Sequence, residues 1–315
     1  MDKEIVLAAD LGGTNLRMAA IDAQGNILYR TKRETPRGEA ADEIVRAIVE
    51  SANECRENCP DSQINVICVA VPGTVDVEDG IVIKAPNLSA LNNFRMVDAL
   101  EFELSVKAIL ENDATAAAAG EHWLGASKCF SNSIFVTLGT GVGGGIIIDG
   151  KVLRGTDGTA GEIGHICVEA RGEPCRCGSH GCVEQYSSAS AIVRIARELS
   201  AQYPGSVLQN NEQLKAFEVF QAGTNGDALA LEVFRQMGFY LGVALTTLLN
   251  VLSPEIIVIG GGASAGWDLF MPQMLETIRR RAYGGQSEAA KIMRGKLGDD
   301  AGILGAARLA FDSLA

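Results

Sequence analysis

Apolar and polar positions along the chain alternate in a way that names most of its elements. Ile5 to Ala9 is a short apolar run ending in Asp10 and a Gly-Gly turn; Leu16 to Ile21 is a second run, closed by Gly25-Asn26. Strand, glycine turn, strand and hairpin turn are expected there. Glu39 to Asn58 carries apolar residues at helical spacing, and Ile64 to Val71 is an unbroken apolar strand punctuated by Pro72-Gly73. Ser105 to Leu110 reads as a strand running into Glu111-Asn112-Asp113, where Asn or Asp can cap the alanine-rich helix that follows to about Gly120.

From Ser133 the opening pattern returns. Ile134 to Leu138 is a strand, Gly139-Thr140-Gly141 a glycine turn, and Gly145 to Ile148 a second strand closed by Asp149-Gly150. The repeat suggests two similar α/β domains, each presenting a glycine loop toward a shared cleft where a ligand would sit. Residues 1–115 would form a small N-terminal α/β domain and 116–300 a larger one. Helices are expected over Ala189 to Ala201, Asn211 to Ala222, Asp227 to Leu252 and Trp267 to Arg281, with an apolar strand at Ile256 to Ile259. A last helix, within 301–315, would return to the first domain.

Composition adds a constraint. The chain has 315 residues, 47% of them hydrophobic, ample for a core. Its 36 glycines exceed the roughly 22 that an average share would give, without a collagen-like period. The surplus belongs in turns or where backbone approaches a ligand. A net charge of -12 gives no electrostatic footing on nucleic acid or an anionic membrane. Met1-Asp2-Lys3-Glu4 does not open a signal peptide, and no run reaches the ~18 apolar residues of a spanning helix, the best being interrupted by Pro254 and Glu255. A cytoplasmic protein with neither nucleic acid nor membrane as partner is expected.

Candidate chemistry gathers at a few places. In Asp10-Leu-Gly12-Gly13-Thr14 the glycines admit phosphate oxygens to the backbone, Thr14 can donate a hydrogen bond, and Asp10 can hold magnesium. Gly139-Thr140-Gly141, with Gly143, Gly144 and Gly145 behind it, suggests a second phosphate loop, neither a P-loop nor a Rossmann turn. Gly260 to Gly262 stands at a strand-to-helix turn where a nucleotide could lie. Asp113 can serve as a general base with Asn112 orienting the substrate, or simply cap the helix. Cys175, Cys177 and Cys182 suit a tetrahedral zinc site, with His165 or His180 as fourth ligand; free buried thiols are the rival reading. A zinc clamp there would draw Glu162 and Glu184 into one locality, a polar pocket suited to a polyhydroxylated ligand.

Taken jointly, Asp10 to Arg17, Val71 to Asp76, Glu111 to Asp113, Leu138 to Gly145, Gly161 to His165 and Cys175 to Glu184 resemble the ROK family of repressors, open reading frames and kinases, in unchanged order over residues 5–262. Within it, the chain is most similar to bacterial-type glucokinases. The resemblance implies a two-domain actin-like ATPase (ribonuclease H-like) fold with a central cleft, and ATP-dependent phosphorylation of the 6-hydroxyl of glucose. N-acetylmannosamine, N-acetylglucosamine or fructose are alternative sugars, and a non-catalytic sugar sensor or repressor relative is the alternative class. It implies that Asp113 is the catalytic base, and that Asn112, Glu162, His165, Glu184 and Gly73 contact the sugar. Gly12, Gly13, Thr14 and Gly139 to Gly141 would hold phosphates, Asp10 would lie near Mg2+, and Gly260, Gly261 and Gly262 near adenosine. His165, Cys175, Cys177 and Cys182 would hold a structural Zn2+ in the larger domain, His165 using its second nitrogen on the sugar. A homodimer or larger homo-oligomer is implied as well. Repressors of the family carry a DNA-binding domain ahead of the Asp-x-Gly-Gly-Thr segment, which here starts at residue 10, so the kinase reading is the expectation.

Overall fold

The computed structural model describes residues 3–38 and 40–314, and the chain divides into two compact units. The first gathers the described residues up to 131, then 145–161 and those from 296 on; the second comprises 132–144 and 162–295.

The first unit begins with β1 (Lys3–Leu11), β2 (Asn15–Asp22), β3 (Ile27–Glu34), α1 (Ala41–Glu57) and β4 (Ser62–Val71). A small sheet of β5 (Thr74–Asp76), β6 (Ile81–Lys84) and β7 (Phe94–Arg95) follows, then α2 (Met96–Leu104), β8 (Lys107–Asn112) and α3 (Asp113–Trp123). The helix expected from 39 to 58 is α1; Glu39 itself lies outside the described residues. The main sheet runs β3-β2-β1-β4-β8, antiparallel across β3, β2 and β1 and parallel across β1, β4 and β8.

Alternation along β1 explains why its apolar run is unbroken. Ile5, Leu7, Ala9 and Leu11 face a core shared with Ile44 and Ile48 of α1 and Leu100 of α2. Val6 and Ala8 face the opposite core, with Ala116 and Ala119 of α3. A strand covered on both faces has no polar side to show.

The second unit carries β9 (Ser133–Leu138), the start of β10 (Val142–Ile148), α4 (Glu184–Ser187), α5 (Ala189–Leu199), α6 (Ala216–Thr224), α7 (Ala228–Leu252), β12 (Ile256–Gly260), α8 (Trp267–Arg281), α9 (Gln286–Ala289) and β13 (Lys291–Arg294). The two-residue strand β11 (Lys151–Val152) and the closing helix α10 (Ala301–Asp312) group with the first unit. The second sheet has the order β11-β10-β9-β12-β13, the same order as the first sheet when strands are matched in chain order. Here too the third, fourth and fifth strands of that order are parallel and the outer pair antiparallel. The strand and glycine-turn repeat in the sequence is thus one part of a repeated five-stranded sheet.

Three details differ from the sequence reading. The division does not fall at 115/116, because α3 continues to Trp123 and packs on α10 so closely that a Cβ on Gly305 would overlap the carbonyl of Ala116. Helix α6 starts at Ala216 and not Asn211: Glu218 Oε2 accepts the Lys215 N–H at 2.8 Å and sets the helix start, while Asn211 Oδ1 accepts from Gln213 N in the preceding turn. And α7, at 25 residues, is long and apolar enough to cross a membrane by length and composition alone. More than half of its most apolar window is buried, against α8 and α4 to α6, which accounts for its hydrophobicity as core packing.

Candidate functional site

In the first unit the sequence-predicted residues meet at the carboxyl ends of parallel strands, where ligands of open α/β sheets bind. Register places Asp10 on β1 opposite Ala70 on β4, which in turn stands opposite Glu111 on β8. The turn after β1 is closed by Gly12 N donating to the Asn15 carbonyl at 2.9 Å. It is held from behind by Thr35, whose hydroxyl donates to Gly12 O at 2.6 Å and whose amide donates to Thr14 O at 2.9 Å. The turn is snug: a Cβ on Gly12 would meet the Asn15 carbonyl at 3.3 Å, and one on Gly13 would meet Asn87 Cβ at 3.1 Å.

The half-buried carboxylate of Asp10 has Arg17 Nη1 3.8 Å away, and Arg17 is itself gripped by Asp299 through Nη1 to the carbonyl at 3.0 Å and Nη2 to Oδ2 at 3.1 Å. Burial raises the Asp10 pKa, Arg17 opposes that, and Asp299 adds to it. The first turn of α10 lies against Asp10 at Gly302. Sequence reasoning gave Arg17, Thr35, Asp299 and Gly302 no role, since their partners lie far off in the chain.

At the end of β8 the roles of Asn112 and Asp113 separate. Asn112 is the helix cap: its Oδ1 accepts from Ala114 N at 2.9 Å and Thr115 N at 3.0 Å. Its Nδ2 donates to the Gly73 carbonyl at 2.9 Å, tying the turn after β4 to the start of α3. Gly73 has φ +112° and its position allows no Cβ beside the Lys84 carbonyl, so only glycine makes that turn. Asp113 is the first residue of α3, half-buried, with Oδ1 accepting from Ala114 N at 2.8 Å. Capping, the alternative use for Asp113, is therefore taken over by its neighbour.

Behind this pair sits a contact with no sequence signal. Glu111, 2% exposed, receives Arg154 Nη2 at 2.8 Å and Nε at 3.0 Å on Oε2, while Oε1 accepts from Asn112 N at 3.0 Å. Burial raises the Glu111 pKa, and the Arg154 guanidinium and the Asn112 amide pull it down.

In the second unit the metal-ligating candidates converge. His165, Cys175, Cys177 and Cys182 place one donor atom each within 4.8 Å of one another. Cys177 Sγ lies 3.7 Å from Cys182 Sγ, and Cys175 Sγ 3.7 Å from His165 Nδ1. A tetrahedral zinc with ordinary bond lengths requires S···S and S···N edges of about 3.8 and 3.6 Å, so the donor set fits that ion. His180 is exposed, pairs its backbone with Pro174, and is not in the cluster. Gln185 Nε2 donates to Cys175 Sγ at 3.6 Å, an outer contact of the kind that orients metal ligands.

His165 turns Nδ1 to the sulfurs and leaves Nε2 3.9 Å from Glu162 Oε2. Partial burial raises the Glu162 pKa, His165 lowers it, and the charge of Glu184 raises it again, which puts all three side chains in one locality. Glu184 also supports the glycine loop, its Oε2 accepting from Val142 N at 3.0 Å. That loop is further held by Ala189 N on Gly139 O and Ser190 Oγ on Thr140 O, both at 2.8 Å.

The glycines of this loop are not all for ligand. A Cβ on Gly141 would run into the Glu184 carboxylate, one on Gly144 into Ile163, and Gly164 packs directly on the Val142 carbonyl. Gly139 faces open space, its nearest neighbour being the Gly141 carbonyl at 4.0 Å, and so does Gly262, with nothing within 4 Å. Gly260 follows in register with Thr137, and Gly261, at φ +83°, turns the chain against Leu138 before α8.

Comparison with known proteins follows the same lines. The family model described as the ROK family matches residues 6–313. A glucokinase of Halalkalibacterium halodurans is 36% identical over 306 residues, 95% of this chain and 92% of that protein. The crystal structure of a ROK family glucokinase from Streptomyces griseus, in complex with glucose and AMPPNP, superposes with a TM-score of 0.82 at 33% identity, covering 98% of this chain and 99% of that one. A xylose repressor of Caldicellulosiruptor bescii is 29% identical over 95% of this chain and 76% of its own length. The repeated sheet order and the structural likeness give the fold its class, that of the actin-like ATPases.

Proposed function

Because the chain belongs to the ROK family, we propose that it is an ATP-dependent sugar kinase that phosphorylates the 6-hydroxyl of glucose. The observation that carries this reading is the arrangement at β8 and α3, where Asn112 performs the capping and Asp113 stands beside it at the carboxyl end of a parallel strand.

Asp113 is then the general base. It takes the proton from the sugar hydroxyl as the oxygen attacks the γ-phosphorus; the new O–P bond forms while the bond to the β-phosphate oxygen breaks, and ADP leaves. Gly73 and Asn112 shape the sugar side of the first unit; in the second, Glu162 and Glu184 offer carboxylate acceptors for sugar hydroxyls and His165 Nε2 an N–H donor. The turns Gly12 to Thr14 and Gly139 to Gly141, closed from within by Gly12 N on Asn15 O and Gly139 N on Gly141 O, would hold the phosphates, and Gly260 to Gly262 the adenosine. The Asp10 carboxylate is an oxygen donor of the type that Mg2+ prefers, and the ion when bound offsets charge on the transferring phosphoryl group. Zinc in the His165 and cysteine cluster is structural: with Nδ1 committed there, Nε2 is fixed in orientation toward the sugar. The protein would act in the cytoplasm as a homodimer or larger homo-oligomer.

A sugar-responsive regulator is the second reading, favoured by the likeness to the xylose repressor. Incubation with ATP, Mg2+ and single sugars separates the two: a kinase forms sugar phosphate and ADP in equal amounts, whereas a regulator binds sugar and leaves ATP intact.

A further inference from the structure

Three arrangements in the chain lie outside the roles already assigned: the Arg17 and Asp299 clamp on Asp10, the short helix α4 between the cysteine cluster and the β9 to β10 loop, and the Glu111–Arg154 pair. The last carries an inference furthest, because every link from it to the proposed base is a direct contact. We propose that Arg154 and Glu111 are positioning residues for phosphoryl transfer, fixing the Asn112-Asp113 junction from behind. This inference rests on the assignment of Asp113 as base.

A carboxylate at 2% exposure at the end of a strand is costly to bury unless paired. Glu111 is paired on both oxygens. Oε2 takes two donors of one guanidinium, Nε at 3.0 Å and Nη2 at 2.8 Å, both converging on that single oxygen. Oε1 takes the Asn112 amide at 3.0 Å, so the peptide leading into Asn112 is held by the same carboxylate. Asn112 in turn bonds Ala114 N, Thr115 N and the Gly73 carbonyl. The line of contacts therefore runs from Arg154 through Glu111 to the residue preceding Asp113 and to the Gly73 turn. A helix start needs only its cap; the extra ion pair restricts the junction beyond what capping supplies.

Arg154 also belongs to the chain segment that follows β11, where Gly155, Gly158 and Gly161 all have positive φ. Its own carbonyl accepts from Ala160 N at 3.1 Å, folding that segment back on itself. Such a turn-rich stretch holds a long side chain in place poorly unless the side chain is anchored, and Glu111 is the anchor. Lysine could supply a charge here but not two donors held in one rigid plane.

The test compares the full-length protein with Arg154→Ala, Arg154→Lys and the apolar double variant Glu111→Leu/Arg154→Met, measuring kcat, the KM values for sugar and ATP, and the melting temperature. The apolar pair removes the buried charge and so keeps the fold if the single variant does not. The expected result is a kcat lowered ~10²-fold in Arg154→Ala and in the double variant, with KM for ATP within about threefold of wild type, since a displacement of a reacting group by about 1 Å costs that much. Arg154→Lys should retain more kcat than Arg154→Ala, and added guanidinium should restore part of the activity of Arg154→Ala. A folded double variant with wild-type kcat overturns the positioning role and leaves the kinase reading intact. An inactive wild type on every sugar overturns both.

Discussion

The two glycine loops of the molecule occupy matching places in two sheets of the same strand order, yet they are built by different means. The loop after β1 is pinned by two hydrogen bonds from Thr35, with Asn15 O and Asn87 Cβ just over 3 Å from where its glycines would carry a Cβ. The loop after β9 is packed more closely: the Glu184 carboxylate and Ile163 fill the space where Gly141 and Gly144 would carry side chains. The strands beyond differ as well. In the first sheet the fifth strand delivers Asn112 and Asp113 into a helix, whereas in the second it ends at Arg294, whose guanidinium lies over the Trp267 ring and near Asp268. The same frame thus carries the proposed base in one unit and a group of metal-ligating candidates and carboxylates in the other. A repeated sheet order fixes where a loop stands and leaves open what holds it.

Under the proposed function, bond chemistry belongs to the first unit and binding and stability to the second. The largest effect should come from Asp113→Ala, with kcat lowered by ~10²- to 10⁴-fold and sugar binding by calorimetry unchanged; retained turnover would move the chemistry elsewhere. Next is Cys177→Ser. Metal content, measured by elemental analysis, should fall from about one zinc per chain to near none, and the melting temperature by about 5 °C or more, since the ion contributes folding energy. An unchanged melting curve in metal-free protein would break the comparison at the second unit. A smaller loss is expected for Gly164→Ala, where a methyl group is forced against the Val142 carbonyl; denaturant unfolding should show ~1–3 kcal/mol of destabilisation. Gly139→Ala sharpens the contrast within one loop. With open space around it, stability should change by less than about 1 kcal/mol while KM for ATP rises, because the added methyl group obstructs phosphate and not protein.

Much of the frame could be read before any coordinates. Apolar runs such as Ile5 to Ala9 and Ile64 to Val71 declare strands covered on both faces, and the cysteine spacing declares a cluster, because both are local patterns with a single physical cause. Choosing His165 over His180 needed the fold, since both precede Cys182 and only orientation separates them. The glycine surplus was harder to read. Gly141, Gly144 and Gly164 look like ligand-facing glycines in sequence, and their reason is close packing between segments distant in the chain. Arg154 was invisible for the same reason: a lone arginine after a two-residue strand acquires meaning only when Glu111 is found beneath it. Asp113 was ambiguous because a carboxylate at a helix start serves equally as cap or base, until Asn112 proved to hold the cap.

The central claim is transfer of phosphate from ATP to a sugar hydroxyl, and a panel of glucose, N-acetylmannosamine, N-acetylglucosamine and fructose with ATP and Mg2+ tests it most directly. Glucose 6-phosphate should form with one ADP per sugar, faster than the product of any other sugar. Good turnover of another sugar beside none of glucose would contradict the assigned substrate, and intact ATP with every sugar would contradict the kinase itself.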